Sequence, residues 1–363
     1  MMVYLFNKMA SDNIGDQLIG FVISLFLTDA GFEVNNNRIY SLDKGVINAL
    51  IIHLQSYFND IKSICNCDTV IIGGGNLIMD TPPLKFRRAF HHFWLAILTI
   101  IFRKKYYYLS VGATPLVHKI SKLLYRFVII NAKKVSVRDN YSKLYLNQLI
   151  SGRDIEVLKD PVLALSSIYP RNVKPKDVNI GICPVQLFPF IRPDRALQKP
   201  YVDLHVKLVQ YFLQENKRVH LFLNDIRADE QVLHDILEQI SPLSPNLNIY
   251  YSFSNLHEYI NFVTSLDFLF SSRLHAIVCA TSYGIPSVGF GWQPKMKNFF
   301  QEQNLWGYID ILKELHEELP DDILRKALNY YIQKRNQPVQ ISDHDCIKSK
   351  IYQFLEIGTS EIT

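Results

Sequence analysis

Apolar residues fall along this chain mostly in short unbroken runs, and strict alternation with polar residues is uncommon. Such runs suit strands buried on both faces, the usual state of parallel strands. They predict strands over 3–7, 69–72, 106–111, 134–138 and 155–158, then over 178–183, 219–223, 247–251 and 267–270. Between them lie segments of helical period: 18–30, 86–102, 117–131 and 139–151, then 201–215, 228–240 and 256–265. Residues 33–54 read as a short strand and a helix. Alternating strands and helices predict doubly wound parallel sheets. Residues 166–177 carry Ser166-Ser167, Pro170 and Pro175 without either period, and the pattern restarts beyond them. The expected organisation is an α/β domain over 1–165, a linker over 166–177 and a second α/β domain over 178–305. Helices over 306–363 would close the chain, 321–333 and 345–354 being the clearest. The expected fold class is therefore α/β, with two Rossmann-like doubly wound domains facing across a cleft.

One stretch stands out. Residues 268–290 read as a buried strand, a tight turn, a helix and a second buried strand. Arg273 and His275 sit at the turn. Alternate residues of an extended segment face the same way, so the two side chains can share a pocket. The helix should begin at about His275 or Ala276, which aims its free N–H groups at that pocket. Gly284 can take a left-handed conformation and Pro286 blocks continuation, so the helix should end there. A guanidinium, an imidazole and a helix N-terminus suit an anion that also needs a proton moved. A capping histidine is the competing reading of His275.

Other candidates follow strand ends. Asp16 opens the first long helix, where the helix dipole stabilises a carboxylate. It also falls where open α/β sheets bind ligands. Gly73-Gly74-Gly75 follows a buried strand. Gly74 and Gly75 are candidate backbone contacts to substrate, a tight turn being the competing reading. Arg138 ends a strand and is either an anion ligand or the partner of Asp139 or Asp160.

Composition narrows the classes. The chain has 363 residues, 48% of them hydrophobic, which fits packed globular domains. A net charge of +5, with Lys and Arg scattered, argues against nucleic acid as a partner. Five cysteines without a CxxC pair suggest a reducing compartment and no metal site. Cys183 and Cys279 read as core. His91-His92 looks like a metal pair, but adjacent helical residues diverge and do not chelate one ion readily. The N-terminus lacks the features of a signal peptide. The most apolar stretch, 93–102, is short of the roughly 20 residues a spanning helix needs. Arg87, Arg88, Arg103, Lys104 and Lys105 flank it, so a peripheral contact with the inner membrane stays open beside a buried crossover helix. The expected location is cytoplasmic, with or without that contact.

Asn13-Ile-Gly-Asp16, Ile71-Ile-Gly-Gly-Gly75, Ser136-Val-Arg138, Asp160-Pro161, Ser272-Arg-Leu-His275, Gly284-Ile-Pro286 and Lys295 occur in that order. Together they resemble the polysaccharide pyruvyl transferase family. The resemblance implies a fold similar to the two-domain GT-B glycosyltransferases. It also implies transfer of a pyruvyl group from phosphoenolpyruvate to two hydroxyls of a sugar, as a ketal, with release of phosphate. The sugar would belong to a cell-surface polysaccharide, such as an exopolysaccharide or capsule, or to its nucleotide- or lipid-linked precursor. No cofactor is implied beyond phosphoenolpyruvate as co-substrate. His275 and Asp16 would be catalytic, His275 as acid–base and Asp16 on the acceptor. Arg138 and Arg273 would clamp the donor's carboxylate and phosphate, with the Leu274 backbone and Lys295 contributing.

Two other functions compete. A GT-B-like glycosyltransferase with a nucleotide-sugar donor would need a ribose-binding carboxylate, and Glu258 is the candidate, although it precedes the focal strand. A non-catalytic component of a polysaccharide-assembly complex would not need Arg273 or His275, yet both are present. The apolar loop Gln186-Leu-Phe-Pro-Phe190 suits a lipid-linked acceptor better than a bare sugar. Aromatic residues such as Tyr106, Tyr107, Tyr108, Phe188, Phe190 and Trp292 could stack on sugars, but most read as core.

Overall fold

The structure, a computed structural model, describes residues 1–7, 13–36, 46–80, 86–170, 178–188, 195–240, 242, 244–337, 339 and 344–357. The expectations on 171–177 of the linker and on Pro189 and Phe190 of the apolar loop lie outside the described residues. The chain divides into two compact units. One holds Met1–Ser11, Asp16–Ala164 and Asp343–Thr363; the other holds Asp12–Gly15 and Leu165–Ser342. The C-terminal helices are therefore shared: Pro320–Lys334 lies in the second unit and His344–Leu355 in the first.

The first unit is built on strands β1 (Met2–Phe6), β2 (Glu33–Asn36), β3 (Thr69–Gly73), β4 (Asn76–Ile78), β5 (Lys105–Ala113), β6 (Lys134–Val137) and β7 (Glu156–Val157). The order is β2-β1-β3-β5-β6-β7, with β4 on β5, and the pairs are parallel. Strands in such a sheet are covered on both faces, which is why they read as apolar runs. Tyr4, Val70, Ile72, Tyr108 and Val135 fill one core against the crossover helices. The order reverses at β1 and β3, and the three glycines end β3 there.

The second unit holds β8 (Asn179–Cys183), β9 (Arg218–Phe222), β10 (Leu247–Tyr250), β11 (Phe268–Ser271), β12 (Ser287–Gly291) and β13 (Tyr308–Asp310). These parallel strands run β10-β9-β8-β11-β12-β13. This is the dinucleotide-binding strand order, and its switch point lies between β8 and β11. Ligands of open α/β sheets bind outside the carboxyl ends of strands at that point. The β11 turn that carries Arg273 and His275 stands there.

One expectation is corrected. Residues after 306 were expected to be helical, yet β13 adds an edge strand to β12. Its three residues are too few to show a period. Gly307 makes it feasible: its φ of 92° turns the chain back, and its carbonyl accepts from Gly289 N–H at 2.9 Å.

Candidate functional site

The β11 turn is fixed by short-range hydrogen bonds. The Ser271 hydroxyl accepts from Arg273 N–H at 2.9 Å and donates to the Arg273 carbonyl at 3.0 Å. Arg273 is extended and forms the N-cap of helix Leu274–Ser282. The helix begins one residue earlier than the pattern suggested, and no side chain caps it. Its first-turn N–H groups lack intrahelical partners by construction. The far end is as expected: Gly284 has a φ of 69°, and its N–H donates to the Thr281 carbonyl at 2.9 Å.

The turn is also tied to the loop after β8. The Tyr201 hydroxyl, fully buried, lies 2.6 Å from Ser272 Oγ and accepts from Val185 N–H at 3.0 Å. The Trp292 indole donates to the Ser272 carbonyl at 2.9 Å. Both sides of the switch point are thereby held in register. Cys183 and Cys279 are fully buried, and burial pushes both thiols up to about 12, so neither is a nucleophile at neutral pH.

Arg273 and His275 line one open pocket, together with Asn13, Leu274, Trp292 and Lys295. The Lys295 ammonium stands 5.8 Å from the Trp292 ring centroid. The reason Arg273 is aimed as it is differs from simple strand alternation. Its Nε and Nη2 donate to Asp229 Oδ2 at 2.7 and 2.6 Å. Asp229 is fully buried, and its Oδ1 accepts from Gln186 N–H at 3.0 Å. Burial opposes the Arg273 charge, but Asp229 outweighs it and holds the guanidinium above its ordinary range. One edge of the guanidinium is thus spent on Asp229. The other edge makes no hydrogen bond among the described residues.

No local signal in the sequence singles out Asp229. It lies in the first turn of helix Ile226–Leu237, where an acid already has a local explanation in the helix dipole. Only the fold brings it to Arg273, 44 residues away. A second hidden contact concerns Gly15. A Cβ there would fall 2.3 Å from His275 Nδ1 and 2.7 Å from His275 Cβ. The glycine of Asn13-Ile-Gly-Asp16 is therefore the floor on which the imidazole rests. Asn13 holds that floor: its Oδ1 accepts from Gly15 N–H at 2.9 Å and its Nδ2 donates to Asp225 Oδ2 at 3.3 Å. Ile14 N–H donates to the Asn224 carbonyl at 3.0 Å.

The remaining candidates lie in the first unit. Gly74 and Gly75 have φ values of 73° and 76°, a turn that L side chains rarely adopt. A Cβ on Gly74 would meet Ile19 at 1.8 Å, and Gly74 N–H donates to the Leu109 carbonyl at 2.9 Å. The turn alone accounts for both glycines, and Gly74 N–H is not available to a ligand. Asp16 is in the first turn of helix Ile14–Asp29, with Oδ1 3.1 Å from where a Gly75 Cβ would stand. Arg88, read earlier only as a flank of an apolar helix, donates to the Asn76 carbonyl at 3.1 Å and feels the Asp16 charge. Burial lowers its pKa despite that charge. Arg138 Nε donates to Asp139 Oδ2 at 3.3 Å, and its Nη1 lies 3.9 Å from Asp160 Oδ2. The structural pairing weighed for it is present. His91 Nε2 meets Asp60 Oδ2 at 2.7 Å and His92 Nδ1 meets the Tyr108 hydroxyl at 2.6 Å, so the two rings serve different partners.

Chemically, the second-unit pocket can bind an anion on Arg273, Lys295 and the helix N-terminus, with an imidazole beside it. The family model of the polysaccharide pyruvyl transferases matches residues 13–294. No curated protein sequence matches the chain. Among solved structures, the UDP-GlcNAc 2-epimerase of Methanocaldococcus jannaschii is similar, at 12% identity and a TM-score of 0.60, over 99% of this chain and 100% of that one. The UDP-GlcNAc 2-epimerase of Neisseria meningitidis, solved with UDP-GlcNAc, matches at 11% identity and a TM-score of 0.57, over 98% and 100%. An α-glucosyltransferase in complex with UDP and a 13-mer DNA matches at 13% identity and a TM-score of 0.53, over 98% and 99%. These likenesses establish a GT-B-like fold.

Proposed function

Because the chain belongs to the polysaccharide pyruvyl transferase family, we propose that it transfers a pyruvyl group from phosphoenolpyruvate to a sugar of a cell-surface polysaccharide or its precursor. The observation that carries this reading is the shared pocket of Arg273, His275 and the N-terminus of helix Leu274–Ser282. Phosphoenolpyruvate carries a phosphate and a carboxylate. The guanidinium edge of Arg273 that Asp229 does not occupy and a helix N-terminus both favour such groups. Lys295 adds positive charge as a point donor. Two acceptor hydroxyls add to the donor's C2 and lose their protons; the methylene carbon gains one proton, the C2–O bond to phosphate breaks, and phosphate leaves with the bridging oxygen and the other proton. His275, which lines the same pocket, would exchange one of these protons. The roles of Asp16 on the acceptor and of Arg138 on an anion rest on the family alone.

A nucleotide-sugar donor would need a carboxylate for the ribose. Glu258 is committed elsewhere: its Oε2 accepts from Ser254 N–H at 2.7 Å, while Asn255 Oδ1 accepts from Glu258 N–H at 2.9 Å. This is a helix-capping arrangement. The test is a thermal melt with each donor. At 100 times its Kd a ligand adds about 2.7 kcal/mol of stability. Millimolar phosphoenolpyruvate should raise the melting temperature by several degrees, and UDP should not. A shift with UDP and none with phosphoenolpyruvate reverses the reading.

The floor under His275 gives a further prediction. Gly15→Ala should push the imidazole out of place without touching the donor's anion contacts. A misplacement of about 1 Å costs roughly 100-fold in rate. We expect kcat to fall by that order while the phosphoenolpyruvate-dependent melting shift persists. Unchanged kcat in this variant would show that the ring's position does not matter.

A further inference from the structure

The first unit carries a face that the pocket does not explain. In a parallel sheet, successive right-handed crossovers that advance in one direction place their helices on one side. The connections β2 to β3, β3 to β5, β5 to β6 and β6 to β7 all advance the same way. Their helices are Val46–Asn66, Arg87–Ile101, Lys119–Asn131 and Asn140–Leu149. They line one side, and Ile61, Phe93, Phe127 and Tyr145 from all four pack on a common core.

The outer surface of this layer is unusual in two ways. Ten of the fifteen exposed large apolar side chains among the described residues fall between Phe58 and Leu144. They include Phe58, Phe90, Ile101, Leu123, Ile130 and Leu144, of which Phe58, Ile101, Leu123 and Leu144 are more than 60% exposed. Scattered apolar residues need no explanation, but a concentration on one layer does. The second feature is charge. The four helices contain one acidic residue, Asp60, which is fully buried and bound to Tyr4 and His91. No acid occurs at all between Asp80 and Asp139. Lys62, Arg87, Lys119, Lys122 and Arg126 are exposed on the same helices. On helix Lys119–Asn131 the two kinds interleave: Lys119, Leu123, Arg126 and Ile130 follow one another along a single stripe.

We propose that this face docks the protein on a bilayer surface that contains anionic lipid. Nucleic acid would take the cations but leaves branched aliphatic side chains in water. A bilayer interface satisfies both, with phosphates for Lys and Arg and the acyl boundary for Phe, Leu and Ile. Long Lys and Arg stems lie along apolar surface while their heads reach the phosphates. The inference is independent of the reaction assigned above.

Sedimentation of the full chain with phosphatidylcholine vesicles, with and without phosphatidylglycerol, tests it. Binding should require phosphatidylglycerol and weaken as salt rises. Lys122→Glu with Arg126→Glu should weaken binding at least about tenfold. Ile101→Ser with Leu123→Ser should weaken it several-fold at unchanged charge. Lys199→Glu, in the second unit, should leave it unchanged. All substituted side chains are solvent-facing, so a melt confirms folding. Absence of binding to phosphatidylglycerol vesicles overturns the proposal, as does binding insensitive to both double variants. Capture by an acidic polypeptide such as polyglutamate, without binding to vesicles, would assign the face to a protein partner and also overturn it.

Discussion

Replacing His275 with alanine is expected to lower kcat by roughly 100- to 10,000-fold, the usual span of general acid–base catalysis. Donor affinity should change little, because the proposed anion contacts belong to Arg273, Lys295 and the backbone at Leu274. The loss should therefore appear in kcat and not in the phosphoenolpyruvate-dependent melting shift. His275 is half-buried at the second position of its helix, and the pocket lies at its side. An alanine there is a good helix former, so the fold should tolerate it. Full activity in this variant removes the imidazole from the reaction. Loss of the melting shift with activity intact would instead make it a donor ligand.

The strand–turn–helix around Arg273 was readable because each signal is local. A buried run, two polar residues at a turn, and a Gly-x-Pro stop all lie within 268–290. The alternation of elements likewise indicated two parallel α/β sheets. The sequence does not show strand order, so the switch point between β8 and β11 became visible only in the structure. Short edge strands escaped for another reason. Neither β4 nor β13 exceeds three residues, too few to display a period of two. Long-range contacts escaped as well. Nothing near Gly15 in the chain announces that its missing Cβ makes room for His275. Arg138 was legible in one sense: carboxylates that could pair with it stand nearby in the sequence, and it does meet Asp139 and Asp160.

Asp229 is the clearest case of a residue with two readings, and a pair of substitutions separates them. If it only caps or neutralises the start of helix Ile226–Leu237, Asp229→Asn should cost a few tenths of a kcal/mol and leave catalysis alone. The N-cap of that helix, however, is Asp225, whose Oδ1 accepts from Ala228 N–H at 3.3 Å. Asp229 instead spends one oxygen on Gln186 N–H and the other on the guanidinium. Asp229→Asn keeps the shape and removes the charge-assisted bonds, each about 1.5–3 kcal/mol. It should raise the KM for phosphoenolpyruvate roughly 10- to 100-fold, because Arg273 is no longer held at one angle. Asp229→Ala should do more: breaking a buried ion pair from one side costs about 3–5 kcal/mol, and the melting temperature should fall accordingly. Removing both partners, as Asp229→Ala with Arg273→Met, should recover part of that stability without recovering donor binding. Recovered stability with donor binding lost assigns Asp229 to the positioning of Arg273. A normal KM in Asp229→Asn would leave it a structural residue and would loosen the argument for Arg273 as the donor's anchor.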